Sequence, residues 1–297
     1  MYDLSRFKQL VALADFGSFR RAAESLGISH SALSQTITKL ELHYKTPLFT
    51  RKYRSIAFTE AGNCLVQSAR SIIRDLEMAE GQVNAIATGV FTGALNIGVD
   101  PTISSIALHG YVAKMITAFP HINLSVLETR WTEINDLLLS CHIDVYIGPM
   151  PDEPSDDLAY SRISCPIVVL LCRADHPCLN GDRHGLNILQ QFPLIGPNFP
   201  DRILKMISNG MGLDFSEWHV KVQFSVIERP SLVREMVLAS DSIGLVFDSG
   251  GDMATESTCE LSRVDLSAFD PAYIVACSKR ISNRPTIDRF FAIATQA

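Results

Sequence analysis

A helix-turn-helix pattern near the amino terminus constrains the fold of this chain more than any other feature. Residues 16–41 read FGSFRRAAESLGISHSALSQTITKLE. Gly17 is suited to end a first helix and Gly27 to make a turn, because glycine readily adopts a left-handed conformation. Ser18 and Ser29 are typical N-caps for the helices that would follow. The segment therefore predicts two helices joined by a tight turn, the second of which can enter the DNA major groove.

Apolar residues with a helical period also lie on both sides of this pattern. They predict a first helix over residues 3–16 and extend the last helix to about residue 44, where Pro47 ends it. Two short extended pieces within residues 49–58 predict a wing.

A long helix is predicted from residue 59 to about residue 88. Its apolar or small residues recur at alternating spacings of four and three, the geometry of a two-helix coiled coil. The alternative is an amphipathic helix that lies on its own domain. We favour a dimerising coiled coil. Its seam consists of Leu65, Ala69, Ile72, Leu76, Ala79, Val83 and Ile86.

Strands alternate with helices after a glycine-containing hinge at residues 89–93. This alternation predicts parallel sheet with helices on both faces. The predicted strands are 94–99, 122–127, 143–147, 167–172, 220–224, 243–246 and 273–278, and the predicted helices are 104–119, 131–141, 201–211, 230–238 and 286–294. We expect two α/β lobes, lobe I from about 93–162 and 267–297, and lobe II from about 163–266.

The length of 297 residues predicts two or three domains. Charged residues are distributed unevenly among them. Residues 1–60 carry nine lysines and arginines against five acidic residues, a net +4. Because the whole chain has a net charge of -6, the remainder carries -10. A basic head on an acidic body concentrates the attraction for phosphate at one end.

The sequence lacks the motifs that are typical of exported proteins, membrane proteins and several classes of enzyme. Without a signal-peptide pattern or a long apolar run, we expect a cytoplasmic protein with no membrane contact. The seven cysteines are then reduced, and the nearest approach to a metal cluster, Cys172, His176 and Cys178, is interpreted as buried thiols beside a histidine. We predict no metal and no cofactor. No nucleophile-elbow, P-loop or dinucleotide-binding motif occurs, so an enzyme is not favoured. A solute-binding receptor would explain the lobes but not residues 1–62, and it would need export, so it is not favoured either.

The chain resembles the LysR-type transcriptional regulators over its whole length, most closely at residues 4–62. The resemblance there is carried by Phe19, Ala22, Ala23, Leu26, Ser29, Ala32, Leu33, Ser34, Ile37, Leu40, Glu41, Pro47, Leu48, Phe49, Arg51, Thr59, Glu60, Ala61 and Gly62. The later half resembles the effector domain of that family, which is similar to periplasmic solute-binding proteins. Two departures concern His30-Ser31, where the family commonly has Gln-Pro, and Lys45, where it commonly has glycine. The first affects base preference, and the second places a side chain where a positive φ is expected.

The resemblance implies an α plus α/β fold in three parts. These are a winged helix-turn-helix at residues 1–58, a dimerising linker helix and hinge at 59–92, and a two-lobed effector domain at 93–297. A homodimer or homotetramer would bind an inverted repeat in double-stranded promoter DNA and act on RNA polymerase. A small-molecule effector would close the lobes and change the spacing of the heads, which requires different affinities for the two states.

The DNA-binding residues are predicted from the open face of the second motif helix. Leu33, Ile37 and Leu40 face the core, which leaves the polar positions between them exposed. Gln35 can pair with adenine through two hydrogen bonds, although solvated surface residues are the alternative. Basic wing residues would contact phosphate or the minor groove. The full set is Ser18, Ser29, His30, Ser31, Ser34, Gln35, Thr38, Arg51, Lys52 and Arg54.

The effector site is predicted at the carboxyl ends of strands, where ligands bind in two-lobed α/β folds. By resemblance, these loops line the inducer pocket of the family. The predicted effector-binding residues are Thr102, Ser104, Thr129, Phe199 and Phe247. Because acidic residues lie nearby, a weakly acidic or neutral organic molecule is as plausible as an anion. Control by oxidation of Cys165, Cys172 and Cys178 is the alternative.

Overall fold

A computed structural model describes most of the chain. The described residues are 3–52, 55–88, 90, 92–103, 105–163, 167–180, 191–210, 212–227, 229–247, 258–265 and 273–296. The chain divides into two compact units. One comprises residues 1–94, 121–123 and 136–143, and the other comprises residues 95–120, 124–135 and 144–297. Among the described helices, none combines the length and the apolar character needed to cross a membrane.

The head of the first unit is a three-helix core with a two-stranded wing. Its elements are α1 (Leu4–Phe16), α2 (Phe19–Ser25), α3 (His30–Tyr44), β1 (Phe49–Lys52), β2 (Ser55–Phe58) and the long α4 (Glu60–Thr88). The Asp3 carboxylate caps α1 by accepting a 3.0 Å hydrogen bond from the Ser5 amide. Gly17 ends α1 at a left-handed φ of 59°. The predicted helix-turn-helix is therefore confirmed, with boundaries within two residues.

Four hydrogen bonds fasten the wing and α4 to the end of α3. The Leu48 amide donates to the Glu41 carboxylate at 2.8 Å, and the Thr59 amide donates to the Leu48 carbonyl at 3.1 Å. The Thr59 hydroxyl donates to the Pro47 carbonyl at 2.8 Å and accepts from the Gly62 amide at 3.0 Å. A methyl group added to Gly62 would lie 1.8 Å from the Leu48 carbonyl oxygen. The end of α3, the residues before β1 and the start of α4 are thus joined by one hydrogen-bond network, which we call the junction.

Lys45 ends α3 in a left-handed conformation, with φ 53° and ψ 32°. Its amide and that of Thr46 both donate to the Glu41 carbonyl. This backbone region disfavours any residue that has a Cβ atom. The expectation of a positive φ at this position is confirmed.

The predicted seam of α4 divides between two environments. Ala69 is fully buried and Leu65 packs against the core of the head, together with Val66. Farther along the helix, the larger apolar side chains of the seam are exposed on this chain. Their exposed fractions are 46% for Ile72, 40% for Leu76, 65% for Val83 and 87% for Ile86. On another face of α4, Ser71 and Met78 are buried within this chain, at 3% and 7% exposed. The alternative of an amphipathic helix on its own domain therefore holds for that face and for the first turns of α4, but not for the seam after Ala69.

In the described part of the effector domain, the strands form two five-stranded sheets. Lobe I contains β3 (Gly93–Val99), β4 (Ile122–Glu128), β5 (Val145–Pro149), β6 (Leu158–Arg162) and β12 (Tyr273–Ser278) in the order β4-β3-β5-β12-β6. Lobe II contains β7 (Ile167–Arg173), β8 (Leu194–Gly196), β9 (Phe224–Val226), β10 (Ile243–Phe247) and β11 (Thr258–Asp265) in the order β11-β7-β10-β8-β9. The helices are α5 (Ser105–Ala118), α6 (Ile134–Leu139), α7 (Asp201–Gly210), α8 (Phe215–Lys221), α9 (Pro230–Ala239) and α10 (Pro285–Thr295), with a short 3₁₀ helix at Pro177–Asn180.

Both sheets are mixed, so the expectation of parallel sheet is wrong in part. β3 pairs parallel with β5, and β8 pairs parallel with β9 and β10. In contrast, β12 runs antiparallel to β5 and β6, and β7 runs antiparallel to β10 and β11. Only a strand-helix-strand crossover requires parallel pairing. Strands that enter a sheet from the other lobe are free of that constraint.

Three local expectations also fail. Residues 220–224 were expected to be a strand, but α8 occupies residues up to Lys221, and the strand begins at Phe224. The Asp214 carboxylate caps α8, and Trp218 is buried on it. The predicted helix over residues 131–141 shortens to α6. The strands β6, β8 and β11 were not predicted.

Candidate nucleic-acid interface and effector cleft

The third helix presents a polar face opposite its buried one. Leu33, Ile37 and Leu40 are at most 4% exposed, as their spacing predicts. On the other side of α3, most of the predicted base-reading residues are accessible. His30, Ser31, Gln35 and Thr38 are exposed, and Ser34 is half-buried. The described residues thus place a continuous row of hydrogen-bonding groups along one helix face.

The two serine caps behave differently. The Ser29 hydroxyl accepts from the Ala32 amide at 3.1 Å and lies 2.9 Å from the Ser31 hydroxyl. It therefore caps α3, as predicted. Ser18 has the backbone conformation of an N-cap, but its side chain makes no capping hydrogen bond. Ser18 is therefore the N-cap of α2, as predicted, and its carbonyl accepts the first helical bond from the Ala22 amide at 2.9 Å, but its hydroxyl caps no amide.

Aromatic contacts fix the start of α3. The His30 ring lies 5.6 Å from the Phe19 ring, which in turn packs edge-on against Phe49 at 5.4 Å. These contacts join α2, α3 and the wing. The Thr38 hydroxyl donates to the Ser34 carbonyl at 2.9 Å, so its proton is held within the helix while its oxygen can still accept. Gln35 keeps the longest polar side chain of the row.

Basic residues flank this face. The backbone of Arg51 and Lys52 lies in β1, paired with Ile56 and Ser55 of β2. The side chains of these two basic residues, and all of Arg54, lie outside the described part of the chain. Lys39 is exposed one turn after Gln35 and was missed by the prediction, although its i+4 spacing places it on the same face.

A small cavity lies between lobe I and lobe II. It is lined by Asp100, Pro101, Thr102, Arg130, Trp131, Pro197 and Asn198. Its volume of about 20 Å³ is room for a single water molecule.

Asp100 forms the polar floor of this cavity. The carboxylate accepts from the Thr102 amide at 3.0 Å, from the Thr102 hydroxyl at 2.6 Å and from the Trp131 amide at 3.2 Å. Burial raises the pKa of Asp100 to about 6, and the bonds from Thr102 and Trp131 oppose that rise. The Tyr273 hydroxyl extends the network by donating to the Thr102 hydroxyl at 3.0 Å. Protein groups therefore already engage the Thr102 hydroxyl as donor and acceptor.

Two contacts hold the lobes together at this edge. The Trp131 indole N–H donates to the Asn198 carbonyl at 3.0 Å. On lobe I, the Asp152 carboxylate accepts from the Asp201 amide at 3.1 Å and from the Arg202 amide at 3.3 Å. Asp152 thereby caps α7 of lobe II, where a negative charge interacts favourably with the helix dipole.

The predicted effector residues reach the cavity only in part. Thr102 lines it, whereas Thr129 is buried and its hydroxyl donates to the Leu127 carbonyl at 3.3 Å. Phe199 is buried next to the lining residue Asn198. Ser104 and the side chain of Phe247 lie outside the described residues. The predicted set omitted Asp100, Arg130, Trp131 and Asn198, which follow strand ends just as the predicted residues do.

Known proteins of similar sequence and fold are regulators. A hydrogen peroxide-inducible genes activator of Dickeya chrysanthemi is 32% identical over 191 residues, which are 63% of this chain and 61% of that protein. A full-length OxyR variant from Pseudomonas aeruginosa matches all of this chain and 94% of its own, with a TM-score of 0.68 and 18% identity. Full-length CbnR bound to its target DNA matches 99% of both chains, with a TM-score of 0.63 and 18% identity.

Two family models cover the chain. Residues 4–63 match the model described as bacterial regulatory helix-turn-helix protein, lysR family. Residues 88–297 match the LysR substrate binding domain. The second match alone spans more than half of the sequence. The chain therefore belongs to the LysR family of bacterial DNA-binding transcriptional regulators.

Proposed function

We propose that this regulator reads its operator through the exposed face of α3 and responds to a small molecule bound between its two lobes. The observation that carries the DNA-reading part is the row of accessible polar side chains opposite the buried Leu33, Ile37 and Leu40. The row has the spacing that a major groove requires. The protein has no catalytic role in this proposal, acts in the cytoplasm and uses RNA polymerase as its downstream partner.

The residues of the interface divide into those that contact bases and those that bind phosphate. Gln35 reads a base, while the hydroxyls of Ser31, Ser34 and Thr38 serve as adaptable partners. His30, fixed against Phe19, meets the first base or phosphate. Lys39 joins Arg51, Lys52 and Arg54 in binding phosphate. Ser18 and Ser29 lie at helix starts, where backbone amides favour phosphate.

The exposed part of α4 supports a dimer in this proposal. Ile72, Leu76, Val83 and Ile86 are too large and too apolar to remain in water along one helix face, so a second copy covers them. A two-fold dimer presents two heads to an inverted repeat. In this proposal residues 1–58 form the head, 59–92 the linker and 93–297 the effector domain.

At the described residues around Asp100, the cavity of about 20 Å³ is too small for an organic molecule, so in this proposal an effector that binds there moves the lobes apart. Opening breaks the bond from the Trp131 indole to the Asn198 carbonyl. An effector can replace this lost hydrogen bond if it accepts one from the Trp131 indole N–H and donates one to the Asn198 carbonyl. In this proposal Thr102, Ser104, Thr129, Phe199 and Phe247 are the residues that contact the effector. Effector binding would be coupled to DNA binding because the effector has a higher affinity for the open state than for the closed state.

Footprinting tests the DNA-binding part of the proposal. The wild-type chain should protect an inverted repeat upstream of its own or a neighbouring gene, and Gln35→Ala should weaken that protection. Gln82→Ala, an exposed glutamine of α4, is the matched control and should bind normally. The absence of binding even to random DNA at low salt would contradict the proposal.

Oxidation of a cysteine pair is a second candidate for the control step. The sulfur atoms of Cys172 and Cys178 lie within 4.8 Å of each other, and Cys165 lies outside the described residues. Against this candidate, both described sulfurs are buried, whereas a redox sensor needs an accessible thiolate. Peroxide should change DNA binding only if this candidate is correct, and Cys172→Ser or Cys178→Ser should then abolish the change.

A further inference from the structure

Two cysteines and a histidine meet at the end of β7 in lobe II. Cys172 is the penultimate residue of the strand, and a turn closed by the His176 amide and the Arg173 carbonyl at 3.1 Å follows it. The Arg173 guanidinium holds this turn through 2.6 Å ion pairs with Asp175 and Asp241. The 3₁₀ helix that carries Cys178 begins directly afterwards. A rigid local frame therefore positions the three side chains.

The three side chains have the separation and burial of a metal site. One ligand atom from each of Cys172, His176 and Cys178 lies within 4.8 Å of the other two. Their exposed fractions are 0%, 1% and 7%. In a tetrahedral zinc site, bonds of about 2.3 Å to sulfur and about 2.0 Å to nitrogen place the ligand atoms roughly 3.5–3.8 Å apart. A contraction of about 1 Å suffices. Within the described ranges, no other group of three metal-ligating side chains is this close.

The histidine points independently to an absent ligand. Its Nδ1 accepts from the Cys178 amide at 3.1 Å, so the proton of a neutral ring is on Nε2. Nε2 is buried and has no hydrogen-bond partner among the described residues. A buried N–H group without an acceptor costs about 1–3 kcal/mol. The ring is held edge-on against Phe192 at 4.6 Å, so it cannot simply turn away.

Charge decides which ion fits this pocket. Two thiolates and one neutral imidazole around Zn²⁺ form a group with no net charge, which can be buried without an additional counter-ion. Hard cations such as Mg²⁺ and Ca²⁺ prefer oxygen ligands, which this cluster lacks.

We propose that Cys172, His176 and Cys178 bind one Zn²⁺ ion per chain. Each thiol releases one proton to solvent as its sulfur bonds to the ion, and a ring nitrogen of His176 donates a lone pair; no electron is transferred. If the ion binds at Nε2, the ring proton moves to Nδ1 and one hydrogen bond from the Cys178 amide is lost. The ion joins β7, an interior strand of the lobe II sheet, to the 3₁₀ helix that follows it. This inference is independent of the DNA-binding proposal.

Cobalt substitution tests the site on the full-length, chemically reduced protein stripped of metal. Titration with Co²⁺ should reach one equivalent and produce thiolate-to-cobalt charge transfer with the intense visible bands of tetrahedral Co²⁺. One equivalent of Zn²⁺ should remove these bands. Cys172→Ala with Cys178→Ala, and separately His176→Ala, should abolish stoichiometric binding. Cys64→Ala, which removes an exposed cysteine elsewhere, should leave it intact.

A measurement on the wild-type protein guards against variants that fail to fold. At a denaturant concentration at which Cys172 and Cys178 of the metal-free protein react, Zn²⁺ should protect these two cysteines, but not Cys64, from alkylation as read by mass spectrometry. The inference is overturned if less than stoichiometric metal binds, if the double variant keeps the bands, or if Zn²⁺ protects neither cysteine.

Discussion

Replacing Lys45 with glycine should stabilise the head of this regulator. Lys45 has φ 53° and ψ 32°, where contact between Cβ and the backbone costs an L-residue about 1–2 kcal/mol. Glycine removes that contact but makes the unfolded chain more flexible, which opposes folding by about 0.5–1 kcal/mol. The net gain in the free energy of unfolding is therefore about 1 kcal/mol. Lys45 is exposed, so no packing is lost.

Hydrogen exchange is the appropriate assay because the tryptophans, Trp131 and Trp218, both lie outside residues 1–94. Fluorescence would thus report on the effector domain alone. A gain of about 1 kcal/mol should slow exchange of the α3 amides roughly fivefold, since about 1.4 kcal/mol corresponds to a factor of ten. The full-length protein should be compared at one concentration, because dimerisation also affects opening.

Two variants separate backbone strain from the loss of a lysine. Lys45→Ala keeps a Cβ atom and should leave exchange almost unchanged. Lys39→Gly makes the same chemical change inside α3, where glycine costs about 1 kcal/mol relative to alanine, and should speed exchange. If Lys45→Gly and Lys45→Ala exchange at the same rate, the left-handed conformation carries no measurable cost and the reasoning is refuted.

Three further predictions concern the junction, the cleft and the linker. Gly62→Ala should destabilise the head by more than about 2 kcal/mol in thermal melts, because the added methyl group overlaps the Leu48 backbone carbonyl. The control is Gly110→Ala, which has open space at its Cβ position and should stabilise the protein. Asp100 has a folded-state pKa of about 6, above its ordinary 3.8, so its contribution to stability is present at low pH and is lost as pH rises from about 4 through 6. The free energy of unfolding of the wild type and of Asp100→Asn should therefore be measured by urea titration across this pH range. The wild-type value should fall by up to about 3 kcal/mol more than that of the variant. Parallel pH profiles of the two proteins would contradict the raised pKa of Asp100. Leu76→Lys should shift the protein towards monomer in light scattering, whereas Gln82→Lys, at an exposed polar position of the same helix, should not.

The sequence predicts the head almost completely because its determinants are local. Gly17 and Ser29 act within one turn of their own positions, and the period of Leu33, Ile37 and Leu40 fixes which face of α3 is buried. The polar face then follows by exclusion. The unusual conformation of Lys45 is predictable only through the family resemblance, because the family commonly has glycine at this position.

Non-local contacts explain what the sequence does not predict. Ala69 continues the α4 seam in sequence, yet it is buried because α1 lies beside it, where Arg70 pairs with Asp15. Residues 220–224 alternate like a strand, but the Asp214 cap and the burial of Trp218 extend a helix into them. Local alternation cannot anticipate either effect.

The effector cleft shows the same limit. The rule that ligands bind at strand ends leads to the correct loops, including that of Thr102. It does not predict that Trp131 bonds to Asn198, because that contact joins residues 67 positions apart in different lobes. Likewise, the spacing of Cys172, His176 and Cys178 suggests buried thiols, and only their folded proximity indicates a metal site.

The most direct test of the central claim is to compare operator and random DNA affinities for two variants of α3. If α3 lies in the major groove as proposed, Gln35→Ala should weaken operator binding by about 1–3 kcal/mol with little effect on random DNA, because it removes a base contact. Lys39→Ala should weaken both equally and reduce the salt dependence of binding, because it removes a phosphate contact. Equal losses on both DNAs for Gln35→Ala, or no loss on either, would contradict the claim that this face reads sequence.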